Sequence, residues 1–178
     1  EILKRGSAQI ISEAELLVEI AKEEQNLHFK LEDTVNRLRD ARLRLEKVSE
    51  ELPSIPPEQL ATMALRGQEV VDATAKGRDV VQEVFTDYSR ILKEMEFNRV
   101  MPKLVEKVKA EIIFPMESIL RQEFVRAEEA TDAYRQELDA NRKPDADKTQ
   151  RAKQSLDQLI DKLARVMDAM GDVTTLNK

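Results

Sequence analysis

The sequence predicts an all-α protein: an elongated antiparallel bundle of three to four helices with coiled-coil-like packing, its third helix kinked at Pro115. Three observations lead to this prediction. Charged residues make up 36% and aromatic residues 4% of the 178 residues, a composition typical of long helices and not of sheets. Apolar residues recur in alternating steps of four and three along most of the chain. Pro115 lies inside one of these stretches, whereas the other prolines lie between them.

The first predicted helix spans residues 1–52. An apolar walk in steps of four and three begins at Ile10 and reaches Leu52, and Leu16 and Ile20 broaden it, which favours a bundle over a two-stranded coiled coil. At ~1.5 Å per residue this helix is about 75 Å long. The walk passes through Ile10, Ala14, Leu17, Ala21, Glu24, His28, Leu31, Val35, Leu38, Arg42, Leu45, Ser49 and Leu52.

Three further helices are predicted at about 57–97, 102–141 and 145–170. Prolines precede each of them, because proline cannot continue a helix but suits the first turn of the next. The fourth helix is expected to end before Gly171, a typical residue just after a helix C-terminus. We expect residues 1–178 to form a single domain and to be a segment of a longer protein, since the chain lacks an initial Met.

Two glycines lie inside the second predicted helix, at Gly67 and Gly77. Glycine costs a helix interior roughly 1 kcal/mol relative to alanine. We therefore predict that a neighbouring helix approaches closely at these positions. Phosphate binding is not expected, because neither glycine opens a helix after a strand.

The segment around Pro115 is apolar on nearly every side of the third helix. We expect the fourth helix to stop near this level, so that Pro115 kinks the third helix where four helices become three. Two interpretations follow: these side chains fill the core at that junction, helped by Val173 and Leu176, or they form a groove for a partner helix or a flanking segment of the same chain. The candidate docking residues are Ile112, Ile113, Phe114, Pro115, Met116 and Phe124.

Several classes of activity are not expected. A net charge of −6 argues against nucleic-acid binding, and the absence of cysteine excludes thiolate chemistry. His28 is the only histidine, and we expect it to pair with Glu24 on the helix surface, not to bind a metal. No catalytic motif is present, so we predict a protein that is not an enzyme and needs no cofactor.

A run of basic residues marks the first helix. Such a run is usually a solvated helix face, and the alternative is an anionic-surface patch for lipid or an acidic partner. The candidate patch residues are Arg37, Arg39, Arg44 and Lys47.

The ending "LARVMDAMGDVTTLNK" and the long helices rich in Glu, Arg and Leu resemble large uncharacterised coiled-coil-rich proteins of the bacterial envelope. The resemblance implies a segment of a larger protein in the envelope, with the cytoplasm as the alternative compartment, and it transfers no functional residue.

We expect a helical-bundle spacer or protein-interaction scaffold. The alternatives are a BAR-like membrane-associating dimer, with membrane contact not favoured, and a helical sensor segment that binds a small ligand. The sequence leaves monomer and dimer open.

Overall fold

Over the residues that the structure describes, the chain forms four long helices. The computed structural model describes residues 2–52, 60–97, 102–141 and 143–175, with side chains placed at residue 25 and over residues 28–52, 62, 64–97, 102–141 and 143–173. Within these ranges the prediction of an all-α antiparallel bundle is confirmed. The helices are α1 (Ile2–Glu51), α2 (Leu60–Phe97), α3 (Pro102 to Asn141) and α4 (Ala146–Thr175).

The helices stand at the corners of a square. α1 and α3 occupy opposite corners, and each packs against both α2 and α4. Ion pairs between the helices show the antiparallel order, since Arg37 of α1 lies beside Asp87 of α2, whereas Glu51 near the end of α1 lies beside Arg66 near the start of α2. One continuous apolar core runs between the four helices.

The core stripe of α1 differs from the predicted walk at two positions. Thr34 and Ala41 are buried, whereas the predicted Val35 and Arg42 lie at the edge of the core. The Thr34 hydroxyl tolerates burial because it donates a 2.7 Å hydrogen bond to the carbonyl of Leu31. Arg42 remains at the surface, where its guanidinium pairs with a carboxylate one turn away.

Two π-helical turns interrupt α3, at Lys109–Ile113 and Ile119–Glu123. In a regular helix, buried residues spaced uniformly by four would rotate about 40° per step away from the core. A π-helical turn uses one extra residue and so returns the stripe to the core. The buried residues at this spacing are Leu104, Val108, Ile112, Met116, Leu120 and Phe124.

The first π-helical turn also accommodates Pro115. Proline has no N–H, and in a regular helix its ring clashes with the carbonyl four residues earlier. Immediately before it, the N–H of Phe114 bonds to the carbonyl of Lys109, five residues back, so the turn at the proline is wide. The kink that we predicted at Pro115 therefore takes the form of π-helical turns on both sides of it.

The predicted end of the fourth helix is wrong. α4 continues through Gly171 to Thr175, and Asp172 Oδ2 lies 3.9 Å from Lys107 Nζ. Four helices therefore run past the level of Pro115, and the predicted change from four helices to three does not occur there. Burial of Val173, only 3% exposed, offsets the cost of a helical glycine.

The remaining helix boundaries agree with the sequence within the described ranges. Asp145 caps α4, because its Oδ1 accepts a 2.9 Å hydrogen bond from the N–H of Lys148. The predicted start of the second helix at residues 57–59 and the predicted contribution of Leu176 lie outside the described residues.

Both interior glycines of α2 lie against another helix, as predicted. A Cβ at Gly67 would lie 3.2 Å from the Cα of Arg135, and one at Gly77 would lie 3.3 Å from a methyl of Leu45. A Cβ at Gly171 would meet nothing within 4 Å. The close approach of α3 at Gly67 therefore favours glycine there, whereas the surroundings of Gly171 leave room for a larger side chain.

We expect Gly171→Ala to raise the free energy of unfolding by about 0.5–1 kcal/mol, because alanine is the better helix former and its methyl meets open space. Gly67→Ala is expected to be neutral or destabilising, because the same gain is offset by displacing the backbone of α3. Urea unfolding followed by circular dichroism measures both. Equal stabilisation by the two substitutions would contradict the close approach of α2 and α3.

Candidate interaction surface

One end of the bundle is formed where α2 and α4 finish while α1 continues. Leu45 packs against Gly77, so Phe97 at the end of α2 lies level with about residue 25 of α1. Ser49 bonds to Asp157, which places the last turn of α4 near residue 31 of α1. α1 begins at Ile2. At ~1.5 Å per residue it extends about 35 Å beyond α2, and we call residues 2–24 the extension.

Three large aromatic side chains are exposed at this end. Phe29 of α1, Phe97 of α2 and Phe114 of α3 are 71%, 88% and 60% exposed. Lys109 pairs with Glu96, so Phe114 lies within about two turns of Phe97 along the bundle axis. The three rings belong to different helices and lie toward the end of the bundle from which the extension continues.

Sequence reasoning missed Phe29 and Phe97. Both fall outside the apolar walks, at positions where a bundle helix normally carries polar residues. A phenylalanine at a normally polar position of a bundle helix could have revealed them. Core packing does not explain a large exposed apolar side chain, so such a residue indicates a contact surface.

The six candidate docking residues around Pro115 are divided between core and surface. Pro115 is half-buried, and Phe114 is the one of the six that is largely exposed. The core interpretation therefore fits all except Phe114 and the edge residue Pro115. The buried ones are Ile112, Ile113, Met116 and Phe124.

The basic run of α1 is spread around the helix and partly neutralised. Arg37 faces α2, where it contacts carboxylates, and Lys47 lies 4.0 Å from Glu51. Arg39 is exposed and donates to Asn36 at 2.9 Å, and Arg44 is exposed on the same side of the helix as Arg37. These residues do not present one continuous positive surface.

The Arg37 side chain joins α1 to α2. Its Nη2 donates to Asp87 Oδ2 at 2.5 Å, while Nε lies 3.0 Å from Asp33 Oδ2 without hydrogen-bond alignment. The hydrogen bond from Arg37 holds the pKa of Asp87 below its usual value, with a further hydrogen bond from Arg90. The same contact raises the pKa of Arg37.

We expect Arg37→Gln to lower the free energy of unfolding by about 0.5–1 kcal/mol at pH 7, since the pair is partly exposed. The pKa of Asp87 is lowered in the folded state, so the pair stabilises the fold above the ordinary carboxyl pKa of 3.8 and ceases to do so as the pH falls through the folded-state value. The penalty of the substitution should therefore shrink below pH 3.8. Urea unfolding at pH 7 and in acid measures it. Arg44→Gln is the control, and a penalty independent of pH would contradict the assignment.

His28 lies near the base of the extension. Its Nδ1 is 3.6 Å from Glu32 Oε1, one turn toward the C-terminus. The Glu24 side chain, its predicted partner, lies outside the described side chains. His28 thus has a carboxylate neighbour on the helix surface, Glu32, which was not predicted from the sequence.

Two tyrosine hydroxyls are buried without a hydrogen-bond partner among the described residues, at Tyr88 and Tyr134. Burial raises the pKa of both phenols, and at Tyr134 the charge of Arg66 opposes the rise. Tyr134 lines a cavity of about 20 Å³ between α1, α2 and α3. This volume suits about one water molecule and is too small for an organic ligand.

Comparison with protein-family models, with curated proteins and with solved structures gave no significant match. Among the described helices, none is long and apolar enough to cross a membrane.

Proposed function

We propose that this chain acts as a spacer and protein-interaction scaffold: a four-helix rod that presents one end to a partner protein. The observation that supports this most is the coincidence of the α1 extension with three exposed phenylalanines at the same end. Exposed aromatic side chains are enriched at protein–protein contacts, where they supply large apolar area at small entropic cost.

The body of the rod supports a spacer role. Its core is continuous over the four helices, and the close packing at its interior glycines and the inter-helix ion pairs favour one antiparallel arrangement. Such a body keeps the distance between its two ends constant, which a flexible linker of the same length does not.

Site-specific photo-cross-linking tests the proposed end. A benzophenone side chain at Phe97 or Phe114 is expected to give a defined adduct with another protein chain in cells that express the protein naturally. Leu65 is the matched control, because it is as exposed as Phe114 but lies near the opposite end of α2. Adducts from Leu65 alone, or from none of the three positions, would contradict the proposal.

A further inference from the structure

The extension of α1 continues the apolar pattern of the bundle beyond the described ends of α2 and α4. In its sequence Ile10, Ala14, Leu17 and Ala21 follow steps of four and three, with Ile20 beside them. Isolated helices are marginal in water, and most helical stability comes from packing an apolar face. A helix of this pattern is therefore expected to pack against another helix.

The charges of the extension are strongly asymmetric. Residues 2–12 contain Lys4 and Arg5 and no carboxylate, which gives a net charge of +2. Residues 13–24 contain five glutamates and one lysine, which gives a net charge of −4. The segment thus has a basic first half and an acidic second half. Two copies of it have complementary charges only when they lie antiparallel.

We propose that the extension pairs antiparallel with the extension of a second copy of this chain. In this orientation the basic half of each helix lies along the acidic half of the other, with Lys4 and Arg5 near Glu19 and Glu23. A parallel pair would place the two acidic halves side by side, which like-charge repulsion disfavours. The same apolar residues form the seam between the two copies.

The bundle ends fit this arrangement. When residues 2–24 of two copies overlap in reverse, residue 2 of each copy lies about level with residue 24 of the other. There Phe97 and Phe29 are exposed, and the second copy's Ile2 and Leu3 arrive beside them. The two bundles then lie at opposite ends of the paired helices.

This inference rests on the proposed function, because it identifies the partner at the same end of the rod. Different results would contradict the proposed dimer and the proposed scaffold function. A monomeric protein that still cross-links through Phe97 to a different protein would overturn the dimer and leave the scaffold, whereas loss of both would overturn both.

The test is the molar mass of the purified chain across concentrations and salt, measured by light scattering and analytical ultracentrifugation. We expect reversible association of the 20.4 kDa chain to a dimer that weakens with added salt. Lys4→Glu with Arg5→Glu should weaken the dimer at least tenfold, since the two-fold axis counts each reversed charge twice. Glu19→Lys with Glu23→Lys should do the same.

The chain carrying all four substitutions provides the decisive comparison. In this variant the substituted positions are again of opposite sign in an antiparallel pair, so its dissociation constant should lie below that of Lys4→Glu with Arg5→Glu, in which both halves are acidic. Arg44→Glu with Lys76→Glu, at exposed positions in the bundle, is the control and should change nothing. A chain that remains at 20.4 kDa at every concentration, or a fourfold variant that dimerises no more tightly than Lys4→Glu with Arg5→Glu, would overturn the proposal.

Discussion

Phe124→Ala is expected to lower the free energy of unfolding by about 3–5 kcal/mol, the usual cost of removing a buried aromatic ring. Phe124 is 0% exposed and ends the uniformly spaced apolar series of α3, directly after the second π-helical turn. The ring lies in the apolar core that the four helices share, and alanine would leave a cavity that a close-packed bundle cannot fill by small movements.

Phe114→Ala is the matched control, because it removes the same side chain ten residues earlier in the same helix. Phe114 is 60% exposed, so the loss should stay within about 0.5 kcal/mol. Phe114→Asp should likewise remain soluble and folded. Chemical denaturation with circular dichroism measures all three variants. Similar losses at Phe114 and Phe124 would contradict the orientation that the π-helical turns give to α3.

Lys162→Met is expected to lower the free energy of unfolding by about 2–3 kcal/mol, because it removes the main partner of a buried carboxylate. Glu123 is buried at the end of the second π-helical turn, and Lys162 of α4 donates a hydrogen bond to its Oε1. The exposed Arg126 lies 3.6 Å from the same oxygen and recovers only part of the lost interaction.

A second substitution separates this explanation from simple loss of packing. In the Lys162→Met background, Glu123→Leu should restore most of the stability, because well-packed apolar residues replace buried ion pairs without loss. Lys103→Met, at an exposed position in α3, is the control and should cost less than about 0.5 kcal/mol. A double variant as unstable as Lys162→Met alone would show that the unpaired charge is not the cause.

Most of the fold follows from the sequence because its signals are local. Prolines and Asp145 mark where helices end and begin, and Gly67 and Gly77 predicted the close approach of other helices. The phase of the α1 core did not follow, since Thr34 meets its own hydrogen-bonding need and so competes with Val35 for the buried position. The end of α4 was missed because tertiary packing of Val173 overrides the helix-ending tendency of Gly171.

The sequence predicted where α3 is irregular, but it did not predict that the irregularity consists of π-helical turns. Pro115 marked the position, but the spacing of four from Leu104 to Phe124 implies wide turns only once these residues are known to be buried, because other apolar residues adjoin the series. The exposed phenylalanines are a different case. Whether Phe29 and Phe97 lie beside one another depends on the alignment of α1 with α2, which contacts such as that between Leu45 and Gly77 determine.

A distance between two spin labels tests most directly whether α1 leaves its own bundle to pair with a second copy. The chain has no cysteine, so Gln25→Cys at an exposed position gives one label per chain. In the antiparallel dimer residue 25 of each copy lies near the start of the other extension, and the label separation should be about 35 Å. A separation below about 20 Å, as a parallel pair requires, or no distance between chains at all, would contradict the antiparallel dimer.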